Sequence, residues 1–143
     1  MVRDEKDALA YALARLPATY AACAAIFDEA RRMAPGFAPA RLLDAGCGPG
    51  AASWAASQTW PELASVAWVD ASAPFLALAG RLGRQGPDPL RRPDVTVADL
   101  TADRPWPDAD LVAASYALAE LPDRQRAAVV LSWRATTSIA GRE

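Results

Sequence analysis

A chain of 143 residues, 52% hydrophobic and 22% charged, is long enough for one domain with a substantial core. Its net charge of −2 excludes a global basic field that would draw in nucleic acid, and the cluster Arg81, Arg84, Arg91 and Arg92 reads as a solvated loop. The absence of histidine, with Cys23 and Cys47 far apart and in no CxxC pair, argues against any metal site.

No charged-then-apolar leader opens the chain, and no run of about 18 apolar residues suggests a bilayer span. The expected location is therefore cytoplasmic, with no membrane partner. Residues 4–15 begin with acids and end in arginine, as a helix dipole favours, and predict a first helix. Leu16-Pro17 then interrupts the pattern, because proline disfavours helical geometry in the residue before it. A second helix is predicted from about Ala18 to Met33, with Tyr20, Ala24, Phe27 and Ala30 on one face, ended by Pro35-Gly36.

From Arg41 the texture changes. Leu42-Leu43 is a short apolar run that closes on Asp44 and a glycine-rich turn, Gly46-Cys47-Gly48-Pro49-Gly50. An alanine-rich helix is predicted over residues 51–57, followed by a β-like run, 65–70, ending in Asp70. A helix over 73–83 precedes a loop rich in proline, glycine and arginine, and a third strand over 94–99 ends in Asp99. Residues 109–115 read as a fourth strand and 122–135 as a helix opened by Pro122-Asp123. Strands alternating with helices indicate a parallel α/β sheet with helices on both faces, preceded by two N-terminal helices. The division is a helical segment over 1–36 and a ligand-binding domain over 37–143.

Open parallel sheets bind ligands at the carboxyl ends of their strands, where strand order reverses. Three strands deliver an acid to that edge. After Asp44, glycines at alternate positions (Gly46, Gly48, Gly50) allow a tight turn and close backbone approach, and amides at the following helix start favour an anionic group. An acid placed as Asp70 is accepts from ribose hydroxyls, and Asp99 is placed to accept from an adenine amino group, with Leu100 beside the ring. Each acid taken alone reads equally well as a helix cap or turn residue. The same loop also fits a loose dinucleotide fingerprint, Gly46-x-Gly48-x-x-Ala51. Against that stand Asp44, where nicotinamide-binding loops usually have an apolar strand end, and the helices before the first strand.

The motif Asp44-x-Gly46-x-Gly48-x-Gly50 resembles motif I of the class I S-adenosylmethionine-dependent methyltransferases, which have a Rossmann-like fold. Tyr11 to Tyr20 (YALARLPATY), LLDAGCGPGAASWAA and Trp60-Pro61 resemble, more specifically, the methyltransferase-like proteins associated with the small ribosomal subunit of mitochondria. The similarity runs from about residue 10 to residue 136. It implies S-adenosylmethionine as cofactor, its methionyl carboxylate at the glycine loop, and contacts from Asp44, Gly46, Cys47, Gly48, Gly50, Asp70, Ala71, Asp99, Leu100 and Ser115. It implies that Arg15, Thr19 and Tyr20 lie near the pocket, whereas spacing alone favours Pro17 starting a helix and Tyr20 in the core. It implies a role in small-subunit ribosomal RNA methylation or subunit assembly, with ribosomal RNA or the small subunit as partner; a non-catalytic assembly protein that keeps the fold and a small-molecule methyltransferase are the alternatives.

Two departures bear on that reading. Family members continue beyond this length, so the last strands of the sheet are expected to be missing, leaving an exposed edge that favours self-association. They also carry an iron–sulfur cluster, which needs four ligands, and two cysteines predict no cluster here. Cys47 reads as a small buried residue of the loop. The fourth strand leads into Ser115-Tyr116-Ala117-Leu118, where such enzymes place substrate contacts, and Tyr116 is a candidate for one. Neither an Asn/Asp-Pro-Pro-aromatic segment nor a Pro-Cys pair is present, so no catalytic nucleophile or base is assigned.

Overall fold

The structure, a computed structural model, describes residues 2–102 and 104–114. The helix α1 (Glu5–Met33) is followed by β1 (Arg41–Ala45), α2 (Ala51–Thr59), β2 (Ser65–Asp70) and α3 (Ala73–Gly83). A short α4 (Asp88–Arg91), β3 (Asp94–Val97) and β4 (Leu111–Ala113) complete the described elements.

The first departure from expectation is α1, which is one helix of 29 residues with Pro17 inside it, not two helices broken at Leu16. Proline removes one backbone hydrogen bond, but packing on both sides of it holds the helix together. Before it, Ala8 and Ala12 pack with Leu78 of α3, and after it Cys23 and Phe27 join the main core with Tyr20, Ala24 and Ala30 against them. Pro17 itself is exposed, so the carbonyl it leaves unpaired faces water. Asp4 caps the helix by accepting from the Asp7 amide at 2.9 Å, and Arg31 and Arg32 lie in the last turn, opposite the acids Glu5 and Asp7 in the first. The unbroken α1 also corrects the reading of membrane segments. It contains an 18-residue window of mean hydropathy 1.3, long and apolar enough by length and composition to cross a membrane, a test that core helices of globular proteins also pass.

The four described strands are all parallel, in the order β3-β2-β1-β4. The chain steps outward from β1 through β2 to β3 and then returns to place β4 on the other side of β1. That reversal puts the switch point at the carboxyl end of β1. Asp110 fastens the return: its carboxylate accepts from the amides of Ala40 and Arg41 at 3.0 and 2.9 Å and pairs with the Arg41 guanidinium at 2.9 Å. The hydrogen bond from Arg41 holds that carboxyl below its ordinary range.

Alternation along the strands sorts two apolar faces. Leu42, Val66, Trp68 and Ala113 turn towards the described helices, with Phe27, Ala52, Ala55, Ala56, Leu76 and Leu90. Leu43, Ala45, Ala67 and Val69 turn the other way and are covered by Ala98, Leu100, Trp106 and Ala109. Among the described residues only the first face carries helices, and the helix expected over 122–135 lies outside them. Strand β3 stops at Val97 and β4 is confined to Leu111–Ala113, both shorter than expected, while α2 runs on to Thr59 and α4 was not anticipated. Val95 and Val97 on the edge strand β3 are exposed.

Because Pro17 is exposed and both halves of α1 are independently packed, Pro17→Ala restores a hydrogen bond at no steric cost. It is expected to raise stability by about 1–2 kcal/mol in urea denaturation. A loss of stability would show that α1 depends on the proline.

Candidate functional site

Strand β1 delivers Asp44 to the switch point fully buried, at 0% exposure. There it serves as the N-terminal cap of α2. Gly50, at the N-cap position, has no side chain to offer, and Asp44 Oδ2 instead accepts from the Ser53 amide at 3.2 Å and the Ser53 hydroxyl at 2.6 Å. The indole Nε1 of Trp68, on β2 directly opposite Asp44, donates to the same Ser53 Oγ at 2.9 Å. Asp44 Oδ1 has no hydrogen-bond partner among the described residues. Burial pushes the Asp44 carboxyl from the ordinary 3.8 up to about 7; the Ser53 hydrogen bonds pull the other way, and the charge of Asp70 adds to the rise. With a folded value above the unfolded one, this group favours the fold fully only below about pH 4. That contribution is lost as pH rises from 3.8 to about 7.

The turn after β1 is shaped by three glycines in the left-handed region, Gly46 at φ 65°, Gly48 at 53° and Gly50 at 97°. The amides of Gly46 and Cys47 both donate to the Val69 carbonyl, at 2.7 and 3.2 Å, drawing the loop across to β2. Asp70, at the end of β2, completes the link: Oδ2 accepts from the Gly48 amide and Oδ1 from the Ser72 amide, each at 2.8 Å. Ser72 in turn caps α3 by accepting from the Phe75 amide at 3.2 Å. Cys47 is a buried free thiol, as expected, and its Sγ donates to the Gly48 carbonyl at 3.4 Å. Burial, with the charges of Asp44 and Asp70, pushes that thiol well above its usual value, so it is a poor nucleophile.

Asp44, Gly46, Cys47, Gly48, Gly50 and Asp70 are thus brought together. Ala71 is exposed beside them. Asp99 lies two residues past the end of β3, where its Oδ1 accepts from the Thr101 amide at 2.8 Å and hydroxyl at 2.7 Å. Those bonds hold its carboxyl below the usual range and show it as a turn residue in this conformation. Leu100 packs against the second face of the sheet. Tyr20 packs on the core and its hydroxyl donates to Gln58 at the far end of α2 from the loop, while Thr19 is half-buried and Arg15 exposed on α1. Ser115 and Tyr116 lie outside the described residues. Ser53 and Trp68 are members of this constellation that the motif does not mark, although a hydroxyl in the first turn after an uncapped Gly50 is a signal for them.

The residues present fit a nucleoside-bearing cofactor. A side chain at Gly48 would meet nothing within 4 Å, so the loop backbone there is open to a ligand. Asp70 sits at the strand end with both oxygens oriented by backbone amides. Asp44 keeps one buried acceptor unspent.

The family model described as mitochondrial small ribosomal subunit Rsm22 matches residues 5–140. The human mitochondrial ribosome assembly protein METTL17 is 36% identical over 134 residues, covering 90% of this chain and 29% of that protein. Trans-aconitate 2-methyltransferase of Mycobacterium ulcerans is 34% identical over 93 residues, covering 65% of this chain and 31% of the enzyme. The chain therefore spans about three tenths of the length of these relatives. In fold it is similar to the plantazolicin methyltransferase BpumL in complex with SAH (TM-score 0.60, 18% identity, 85% of this chain and 44% of that one). The glycopeptide N-methyltransferase MtfA is also similar (TM-score 0.56, 22% identity, 75% and 50%). The fold is that of the class I methyltransferases.

The glycines differ in what a side chain would meet. Gly48→Ala places a methyl in open space at φ 53° and is expected to cost about 1 kcal/mol. Gly50→Ala adopts φ 97° with Ala79 and Trp68 within 3.8 Å and is expected to cost about 2–3 kcal/mol in the same denaturation experiment. Equal losses would contradict the loop geometry.

Proposed function

This chain belongs to the mitochondrial small ribosomal subunit Rsm22 family, and from that premise we propose that it binds S-adenosylmethionine at the glycine loop and serves small ribosomal subunit assembly by methylating its RNA. The observation that carries the cofactor half of the reading is the Asp70 carboxylate fixed by the Gly48 and Ser72 amides at the mouth of an open loop. The ribosomal half rests on the family and on the 36% identity to a ribosome assembly protein.

When bound, S-adenosylmethionine supplies a methyl group already made electrophilic by its sulfonium. The chain's own work is to bind and orient. Asp70 offers its remaining lone pairs to ribose hydroxyls, and the loop backbone from Gly46 to Gly50 accommodates the methionyl end. Holding a donor in one orientation against an acceptor is worth several kcal/mol of barrier. No base is needed at the loop itself, and Asp44, buried beneath it, shapes it through Ser53.

A second reading, transfer to a small molecule, is favoured by the 34% identity to trans-aconitate 2-methyltransferase, which extends over 65% of the chain. Salt-dependent binding of small-subunit RNA separates the two, since neutralised phosphates release counterions.

Calorimetric titration with S-adenosylmethionine and S-adenosylhomocysteine tests the cofactor site. We expect saturable binding to both, weakened about tenfold or more by Asp70→Ala through lost charge-assisted hydrogen bonds. A folded chain that binds neither would contradict the proposal.

A further inference from the structure

The mechanism above leaves Ser53 and Trp68 unused, yet the structure invests both in one atom of the site. Trp68 Nε1 donates to Ser53 Oγ at 2.9 Å, and Ser53 Oγ donates to Asp44 Oδ2 at 2.6 Å. All three residues have 0% exposure, so neither Ser53 nor Trp68 can touch a ligand in this conformation. The three come from β2, α2 and β1, the elements whose ends define the glycine loop, and Trp68 also lies 3.8 Å from the Cβ position of Gly50. We propose that Ser53 and Trp68 are positioning residues for the cofactor loop, acting through the Asp44 carboxylate that they fix between β1 and α2. The inference rests on the reading of that loop as an S-adenosylmethionine site.

Among the described residues two hydrogens from Ser53 reach the carboxylate, both at Oδ2, leaving Oδ1 as a buried acceptor without a partner there. Such an atom is costly in the free protein and favours a donor or a positive charge brought close to it. The amino-acid end of the cofactor carries an ammonium group, whose charge favours the ionised form of Asp44. Binding therefore releases a proton from this carboxyl, and affinity follows its ionisation. Among the described residues, the titratable groups whose charges act with Asp44 are Asp70 from β2 and the Cys47 thiol of the loop. Directly opposite it, β2 presents Trp68 and β4 presents Ala113, neither of them titratable. The Ser53 hydroxyl matters because its hydrogen bonds oppose the effect of burial on Asp44, and the Trp68 indole orients that hydroxyl by occupying its acceptor side.

The test is calorimetric binding of S-adenosylhomocysteine to the full chain from pH 6 to pH 9, alongside the 15N–1H resonance of the Trp68 indole in the ligand-free protein. With Asp44 titrating at about 7, affinity in the unsubstituted chain is expected to be about tenfold weaker at pH 6 than at pH 8, and the indole resonance to shift with the same midpoint. Ser53→Ala is expected to move both midpoints to higher pH, Ser53→Thr to restore them, and Trp68→Phe to move the binding midpoint in the same direction by less. A merely structural Ser53 would alter stability and leave both midpoints in place. Binding of equal strength at pH 6 and pH 8, or a midpoint indifferent to Ser53→Ala, overturns the inference while the cofactor site stands. An indole that titrates and responds to Ser53→Ala in a chain that binds no S-adenosylhomocysteine overturns the cofactor reading and leaves a proton-sensitive helix cap.

Discussion

A single buried carboxylate organises the centre of this fold. Asp44 ends β1, caps α2 through Ser53 and is tied to β2 through the Trp68 indole, so one side chain fixes the relation of three elements. The arrangement comes at a cost, since burial holds the acid far above its ordinary range and one oxygen has no partner among the described residues. A neutral cap such as serine or asparagine would serve α2 at lower cost. A charge kept under a glycine loop, with an acceptor unspent, fits a site that waits for a cationic ligand, and costly buried groups of this kind concentrate where proteins act.

The rest of the architecture follows from where that carboxylate sits. The strand order reverses beside β1, so the loop after Asp44 opens at the switch point, and the Val69 carbonyl and Asp70 pull it towards β2. Helix α2 leaves the loop and is held along its length by α1, with Phe27 and Trp60 in a tilted ring contact and Arg31 donating to the Thr59 carbonyl at the end of α2. Helix α1 is therefore part of the wall behind the site. Its outer side leaves Leu13, Ile26 and Met33 exposed.

Much of this was legible in the sequence, because the strong signals were local. Apolar runs closing on Asp44 and Asp70 placed β1 and β2, the alternate glycines marked the positive-φ turn, and the helix expected over 73–83 matches α3. The helical periodicity that put Tyr20, Ala24, Phe27 and Ala30 on one face held as well. Three features were not legible because they depend on tertiary context. Pro17 reads locally as a break, but packing on either side outweighs one lost hydrogen bond. Asp99 reads equally as a ligand or a turn residue from its place after a strand, and the bonds from Thr101 two residues on are visible only in the fold. Ser53 looks like any small residue in an alanine-rich helix until Gly50 is seen to leave that helix without a cap of its own. Windows of composition also missed that α1 is continuous, and with it the apolar length of the N-terminal helix.

Hydrogen exchange of backbone amides, with and without S-adenosylhomocysteine, reads the glycine loop itself. Bound ligand is expected to slow exchange at residues 46–50 and 70–73, the two segments joined by the Gly48–Asp70 hydrogen bond. Protection confined to other segments, or none at saturating ligand, would contradict the claim that this loop is the cofactor cradle.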